Sequence, residues 1–185
     1  MEIEIEQKPK GNVLESIKID SPLDVYNIKE IQEIKGAVQE HFIYLGLNRN
    51  NMLNNIKLMG IGTSSCINID SKDIIRTAIL NTDERIIVVH NHPSNKLEPS
   101  THDIHLSNVT SKLLQVFNIE LLDHIIVTER SYLSMKKAKE IDKSYTNDDL
   151  TNMDKGFLLE ENAHLKKENE ELKEKIEEYE DDMEM

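Results

Sequence analysis

His90 and His92, followed by Ser100 and Asp103, form the pattern H-x-H-x7-S-x2-D. Two imidazoles and a carboxylate are good zinc ligands, and a serine hydroxyl beside them is a hydrogen-bond donor. Structural zinc sites are closed by four protein ligands, whereas catalytic ones use three and leave a position for water. The three candidate ligands therefore predict a catalytic centre holding one Zn²⁺ per chain.

The elements that must position these groups are legible around them. Arg85-Ile86-Ile87-Val88-Val89-His90 is a short apolar run rich in β-branched residues, the pattern of a buried strand. Side chains two apart on a strand share a face, so His90 and His92 can reach one ion at the strand's C-terminal end. Pro93 lacks an N–H and ends regular pairing. Ser100 then opens a helix in which Ile104, Val109, Leu113 and Phe117 follow, with Asp103 one turn inside. Taken alone, Ser100-Thr101-His102-Asp103 also reads as a helix-capping box with Asp in the usual Glu or Gln position. The two readings are compatible.

Upstream, Ser21-Pro22 begins a helix running to about Ala37, with Val25, Ile28, Ile31 and Ile34 at helical spacing. Val38 to Leu45 reads as a strand, and Glu40 is its one acidic residue, expensive to bury without a task or partner. Ile56–Ile61 is a second strand in antiparallel pairing. Ser71 is the expected N-cap of a helix containing Ile74, Ile75, Ala78 and Ile79. Strands over Ile119–Val127 and around Tyr132–Met135 complete the domain. Helices alternating with strands apolar on both faces imply an α/β fold with a mixed sheet.

The stretches His90-Asn91-His92-Pro93-Ser94, Pro99-Ser100 with Asp103, and Leu121-Leu122-Asp123-His124-Ile125-Ile126-Val127 resemble the JAMM (MPN-plus) metalloprotease motif in its bacterial RadC-like form. The resemblance spans about residues 20 to 138. It implies the three-layer α/β sandwich of JAB/MPN domains, similar to cytidine deaminases. It also implies that His90, His92 and Asp103 bind zinc, that Ser100 assists the transition state, and that Glu40 is the general acid/base. Three departures stand out. Asn95 replaces a Gly common after the His-Asn-His-Pro-Ser run. Lys72-Asp73-Ile74-Ile75 stands where Arg-Glu-Val-Phe is more frequent. The helix-hairpin-helix module that precedes this domain in RadC proteins is expected to be absent, since only about twenty residues come first.

The 185 residues suffice for one domain with an appendage, and the net charge is −13. Residues 151–185 hold 13 acidic and 5 basic residues, leaving −5 for the rest. No cluster of positive charge marks a nucleic-acid surface, which argues against direct nucleic-acid binding. The single Cys66 excludes an internal disulfide and is expected to pack as a small apolar side chain. No apolar run reaches the roughly 20 residues of a membrane span and no signal peptide opens the chain, so the expected location is cytoplasmic.

The expected boundaries are a loosely ordered segment 1–20, the metallohydrolase domain 21–138, a polar linker 139–154 and an acidic tail 155–185. In the tail Leu158, Leu165, Leu172 and Tyr179 recur every seven residues, with Asn162, Asn169 and Ile176 three before the last three. That is the a/d pattern of a coiled coil, weakened by polar a positions, and it predicts a homodimer or a docked partner.

The resulting expectation is a JAMM-type zinc hydrolase of peptide or isopeptide bonds acting on a peptide or protein substrate. Glu40 would take a proton from zinc-activated water and pass it to the leaving amine, and Ser100 would donate to the oxyanion. The alternative is a non-catalytic metal-stabilised interaction module associated with DNA repair or processing, which needs the ligands but not Glu40. His124 is expected to be hydrogen-bonded rather than a ligand, with Asp123 orienting it or a neighbouring ligand. His102 is expected on the surface.

Overall fold

Alternation decides which way each strand faces. In a computed structural model that describes residues 17–139, β1 (His41–Leu47) turns Ile43, Leu45 and Leu47 to one side and Phe42 and Tyr44 to the other. β3 (Arg85–Asn91) does the same with Ile87 and Val89 against Ile86 and Val88. Both faces are apolar because helices cover both. α1 (Pro22–Tyr26) and α2 (Lys29–Ile34) bring Val25, Ile31 and Ile34 to the first face. α3 (Ser71–Leu80) and α4 (Thr101–Val116) bring Ile74, Ala78, Leu106 and Leu114 to the second. Each fully buried Val, Leu, Ile or Phe among them contributes roughly 1.5–3 kcal/mol.

The mixed sheet has the order β2-β1-β3-β4-β5, with β2 at Leu53–Ile61, β4 at Glu120–Val127 and β5 at Tyr132–Ser134. β1 pairs antiparallel with β2 and β3, and β3 pairs parallel with β4. The parallel pair needs a crossover, and α4 supplies it. This is a mixed-sheet α/β architecture with helices on both faces, as the resemblance to JAB/MPN domains implies.

Three local expectations need correction. The helix from Ser21 to Ala37 is broken at Asn27 and Ile28, although Val25, Ile28, Ile31 and Ile34 are all buried as their spacing implies. The Gln32 side chain donates to the Tyr26 carbonyl and so satisfies the end of α1. The N-cap of α3 is Asp70, whose carboxylate accepts from the Lys72 N–H, and Ser71 is the first helical residue. In the segment assigned as loosely ordered, Ile19 is buried with Ile17 packed against the same core, and Lys18 bridges Met52. The buried face of α4 is Asp103, Leu106, Ser107, Thr110 and Leu114, while Leu113 and Phe117 face solvent. The heptads of residues 155–185 and the linker 140–154 lie outside the described residues.

Far from the candidate ligands, Gly46 on β1 lets a buried carboxylate approach the backbone. A Cβ there would meet Asp83 Oδ2 at 2.1 Å and Asn55 Nδ2 at 2.5 Å. Asp83 accepts from the Tyr44 hydroxyl at 2.7 Å, from Asn55 at 2.9 Å and from Asn54 at 3.2 Å. Burial raises its pKa, against the pull of those three donors.

Candidate metal centre

The ladder between β3 and β4 runs just past its formal end, because the His92 N–H donates to the Val127 carbonyl at 3.0 Å. His90 and His92 therefore keep strand alternation and share the face covered by α4. The chain then turns through Asn95, which adopts φ 58° and bonds back to the His92 carbonyl. Asparagine tolerates that left-handed conformation better than most residues. The turn carries the Lys96 carbonyl to within 2.8 Å of His92 Nδ1. A carbonyl can only accept, so His92 Nδ1 carries the proton and Nε2 of the neutral ring is a lone pair.

Asp103 arrives from the other side through a capping box. Ser100 N–H and Ser100 Oγ–H both donate to Asp103 Oδ2, at 2.8 and 2.6 Å, and the Asp103 N–H returns a bond to Ser100 Oγ at 3.1 Å. Oδ2 accepts both bonds from the helix start, and Oδ1 is turned to His90, 3.3 Å from its Nε2. His90 Nε2 and His92 Nε2 are 2.9 Å apart, and His92 Nε2 is 3.7 Å from Oδ2. One ligand atom from each of the three residues lies within 4.8 Å of the others. The donor set is oxygen and imidazole nitrogen, the set that suits zinc. Groups with lone pairs facing one another at this range demand a positive charge between them. The electrostatics agree. Burial alone would raise the Asp103 carboxyl, but the neighbouring His90 and His92 outweigh it and hold it well below the usual carboxylate range. Burial disfavours the His92 cation, yet Asp103 and the Lys96 carbonyl outweigh that and raise its pKa. This buried group could hold a metal ion.

Behind His90 lies His124, fully buried, with Nε2 at 2.7 Å from His90 Nδ1. Burial, followed by the neighbouring His90, pushes its pKa down to about 3. Asp123 does not orient either ring. Its carboxylate accepts from the Ser134 hydroxyl and from the Lys136 N–H at 3.0 Å. A bulge explains this: Ile86 pairs with Leu121 but Ile87 with Asp123, so Leu122 is an extra residue. The bulge turns Asp123 to the α1–α2 face and His124 to the α4 face.

Glu40 sits one residue before β1 rather than inside it. Its N–H donates to the Thr63 carbonyl and its carbonyl accepts from the Gly62 N–H, both at 2.8 Å, so it still runs alongside the end of β2. The side chain is buried and lines one cleft of about 370 Å³ with His92, Ser100 and Asp103. Burial raises its pKa, His90 and His92 pull it back, and Asp103 adds to the rise. Cys66 is exposed on the loop after β2, where it also lines the cleft, not packed as a small apolar core residue. Gly62 faces the Cys66 carbonyl so closely that a Cβ would lie 2.1 Å from it. That tight turn sends the cysteine outward. His102, expected on the surface, is half-buried and lines the same cleft.

A family model, the RadC-like JAB domain, matches residues 19–141. The chain belongs to this family. The JAB domain is 36% identical over 121 residues to a UPF0758 protein of Staphylococcus haemolyticus (strain JCSC1435), covering 65% of this chain and 53% of that protein. It is 38% identical over 124 residues to a UPF0758 protein of Clostridium botulinum (strain Loch Maree / Type A3), covering 67% of this chain and 54% of the relative. The chain spans about half the length of these relatives. Among the described residues of this JAB domain, no helix is long and apolar enough to cross a membrane.

Sequence reasoning overlooked Asn91 in the JAB domain. It lies between the two histidines, points to the opposite face and is completely buried. Its Oδ1 accepts from the His41 N–H at 2.7 Å, and its Nδ2 donates to the Gln39 carbonyl at 3.0 Å and the Ala37 carbonyl at 3.3 Å. The signal was available: strand alternation buries the middle residue of H-x-H, and a buried amide must find partners.

Proposed function

We propose that this domain is a zinc-dependent hydrolase of peptide or isopeptide bonds. The observation that carries the reading is the pairing of two features in one cleft. Three metal-binding side chains converge there, and beside them is a buried carboxyl of raised pKa that ligates nothing. A metal-stabilised scaffold needs the first feature and has no use for the second.

His90, His92 and Asp103 would hold the ion. Zinc, when bound, supplies Lewis acidity, which lowers the pKa of a coordinated water to about 7 and polarises a carbonyl. Glu40 would take a proton from the attacking water and later deliver it to the leaving amine. Ser100, lining the same cleft, supplies a hydroxyl donor for the carbonyl oxygen as it gains negative charge. To do so it turns its proton away from Asp103 Oδ2. Asn91 keeps the Glu40 segment against the histidine strand. The substrate is a peptide or protein chain, and the heptads of the acidic tail would pair two copies or dock a partner.

A peptide-library cleavage screen on the zinc-loaded full chain, with Glu40→Gln as control, tests the reading. Cleavage by wild type and none by the variant is expected. A chain that binds one zinc yet cleaves no library member would overturn it in favour of a metal-stabilised binding module.

A further inference from the structure

His90 binds a metal through Nε2 only if its one ring proton resides on Nδ1. Free imidazole can place that proton on either nitrogen, so something must choose. The hydrogen bonds behind His90 make that choice, and the deciding group is a serine on α4.

Ser107 Oγ is 2.6 Å from the main-chain carbonyl oxygen of Asp103, one turn earlier in the helix. The carbonyl has no proton to offer, so the serine must donate. The Met135 sulfur lies at 3.9 Å and is a weak acceptor, no competitor for that one hydroxyl proton. With the proton spent, Ser107 Oγ presents only lone pairs to His124 Nδ1 at 2.6 Å. His124 Nδ1 is therefore the donor. A neutral His124 then has a bare Nε2, which faces His90 Nδ1 at 2.7 Å and must accept from it. The order of protons is fixed from the helix outward, and its last consequence is a lone pair on His90 Nε2. Reversing the chain would set Ser107 and the Asp103 carbonyl lone pair against lone pair at 2.6 Å.

We propose that Ser107 and His124 are positioning residues that lock His90 in its Nδ1–H tautomer and so prepare the centre for metal. This rests on the metal-site reading above but not on catalysis. Three features serve it. The β4 bulge turns His124 under His90. The burial of Ser107, His124 and His90 keeps competing water away. The helix turn that supplies the Asp103 side chain as a ligand also supplies its carbonyl as the terminus of the relay. Neither residue touches the reacting atoms.

The test uses the full chain and two measurements that do not involve hydrolysis. The first is the tautomeric state of His90 in the metal-free protein, read from long-range ¹H–¹⁵N correlations of its ring. Wild type is expected to show protonated Nδ1, and Ser107→Ala a substantial Nε2–H population. The second is zinc affinity by chelator competition. Loss of an outer-shell partner typically weakens a metal site about 10–100-fold, and Ser107→Ala and His124→Leu should fall in that range. Ser107→Cys, which retains a weaker donor and acceptor, should lie between Ser107→Ala and wild type. If His124→Leu does not fold, the two serine variants carry the test. A wild-type His90 protonated on Nε2, or a folded Ser107→Ala protein with wild-type zinc affinity, would overturn the relay. Normal zinc binding without any hydrolysis would instead sink the proposed hydrolase and leave the relay standing.

Discussion

The His41 N–H donates to Asn91 Oδ1 across 2.7 Å, tying the residue after Glu40 to the residue between the two histidines. One buried amide thus sets the distance between the candidate base and the candidate ligands. Asn91→Ala strands the His41 N–H, and an unpaired buried group costs roughly 1–3 kcal/mol, whereas the Gln39 carbonyl keeps His41 Nδ1 at 2.9 Å. The variant should melt several degrees lower and lose most hydrolysis while still binding one zinc. Differential scanning calorimetry and elemental analysis would check both halves. An Asn91→Ala protein with wild-type melting and turnover would show that the amide positions nothing.

Glu40→Gln removes a proton acceptor while almost preserving shape and no ligand is lost. Zinc content should be unchanged and turnover should drop by roughly 10²–10⁴-fold, the usual contribution of general acid–base catalysis. Turnover equal to wild type would dismiss Glu40 as the base, whatever the metal does.

A metal that binds only the folded chain must stabilise it. Zinc at about 100 times its Kd adds roughly 2.7 kcal/mol, so a chelator should lower the melting temperature and zinc should restore it. His90→Ala, His92→Ala and Asp103→Ala should each abolish that response. Zinc-dependent stabilisation surviving in His92→Ala would remove His92 from the ligand set.

Asp83 offers a pH signature remote from the metal. Burial lifts its folded pKa above the ordinary 3.8, so the carboxyl binds its proton more tightly when folded. Its stabilising contribution is complete below 3.8 and disappears as pH rises through the folded value. The loss amounts to about 1.4 kcal/mol for each unit separating the two pKa values. Asp83→Asn cannot titrate, so wild type should lose stability relative to that variant as pH rises from about 4 through the folded value. A pH-independent difference in urea-unfolding free energy would contradict the raised value.

The tail predicts an oligomeric state. If Leu158, Leu165, Leu172 and Ile176 form a seam, the full chain is a dimer and truncation after about residue 140 yields a monomer with unchanged zinc content. Light scattering on both decides, and a monomeric full chain at high concentration would leave only a partner-docking role for the heptads.

Much of the candidate site was legible because it depends on short-range geometry. H-x-H on a strand and S-x2-D at a helix start place their side chains by local rules, and both motifs occupy those elements. The remainder depends on tertiary facts that no local pattern carries. The β4 bulge puts His124 on the α4 face and Asp123 on the other, where regular alternation from Leu121 would exchange them. α4 buries Ser107 and Thr110 together with Leu106 and Leu114 and leaves Leu113 outward. The break at Asn27 left the 3.6-residue spacing of the isoleucines intact, so periodicity gave the buried face and missed the interruption. Cys66 looked apolar by type, but the tight turn at Gly62 decides its exposure.

The double duty of the Ser100–Asp103 box bears on how such a protein can change over generations. A lineage that abandoned its chemistry would still need both residues to start α4, so they would persist without selection for activity. Glu40 caps no helix, and its buried carboxyl is a burden on the fold. It would be the first of these residues to drift, and a descendant with Ser100 and Asp103 intact but an apolar side chain at position 40 would be a retired enzyme.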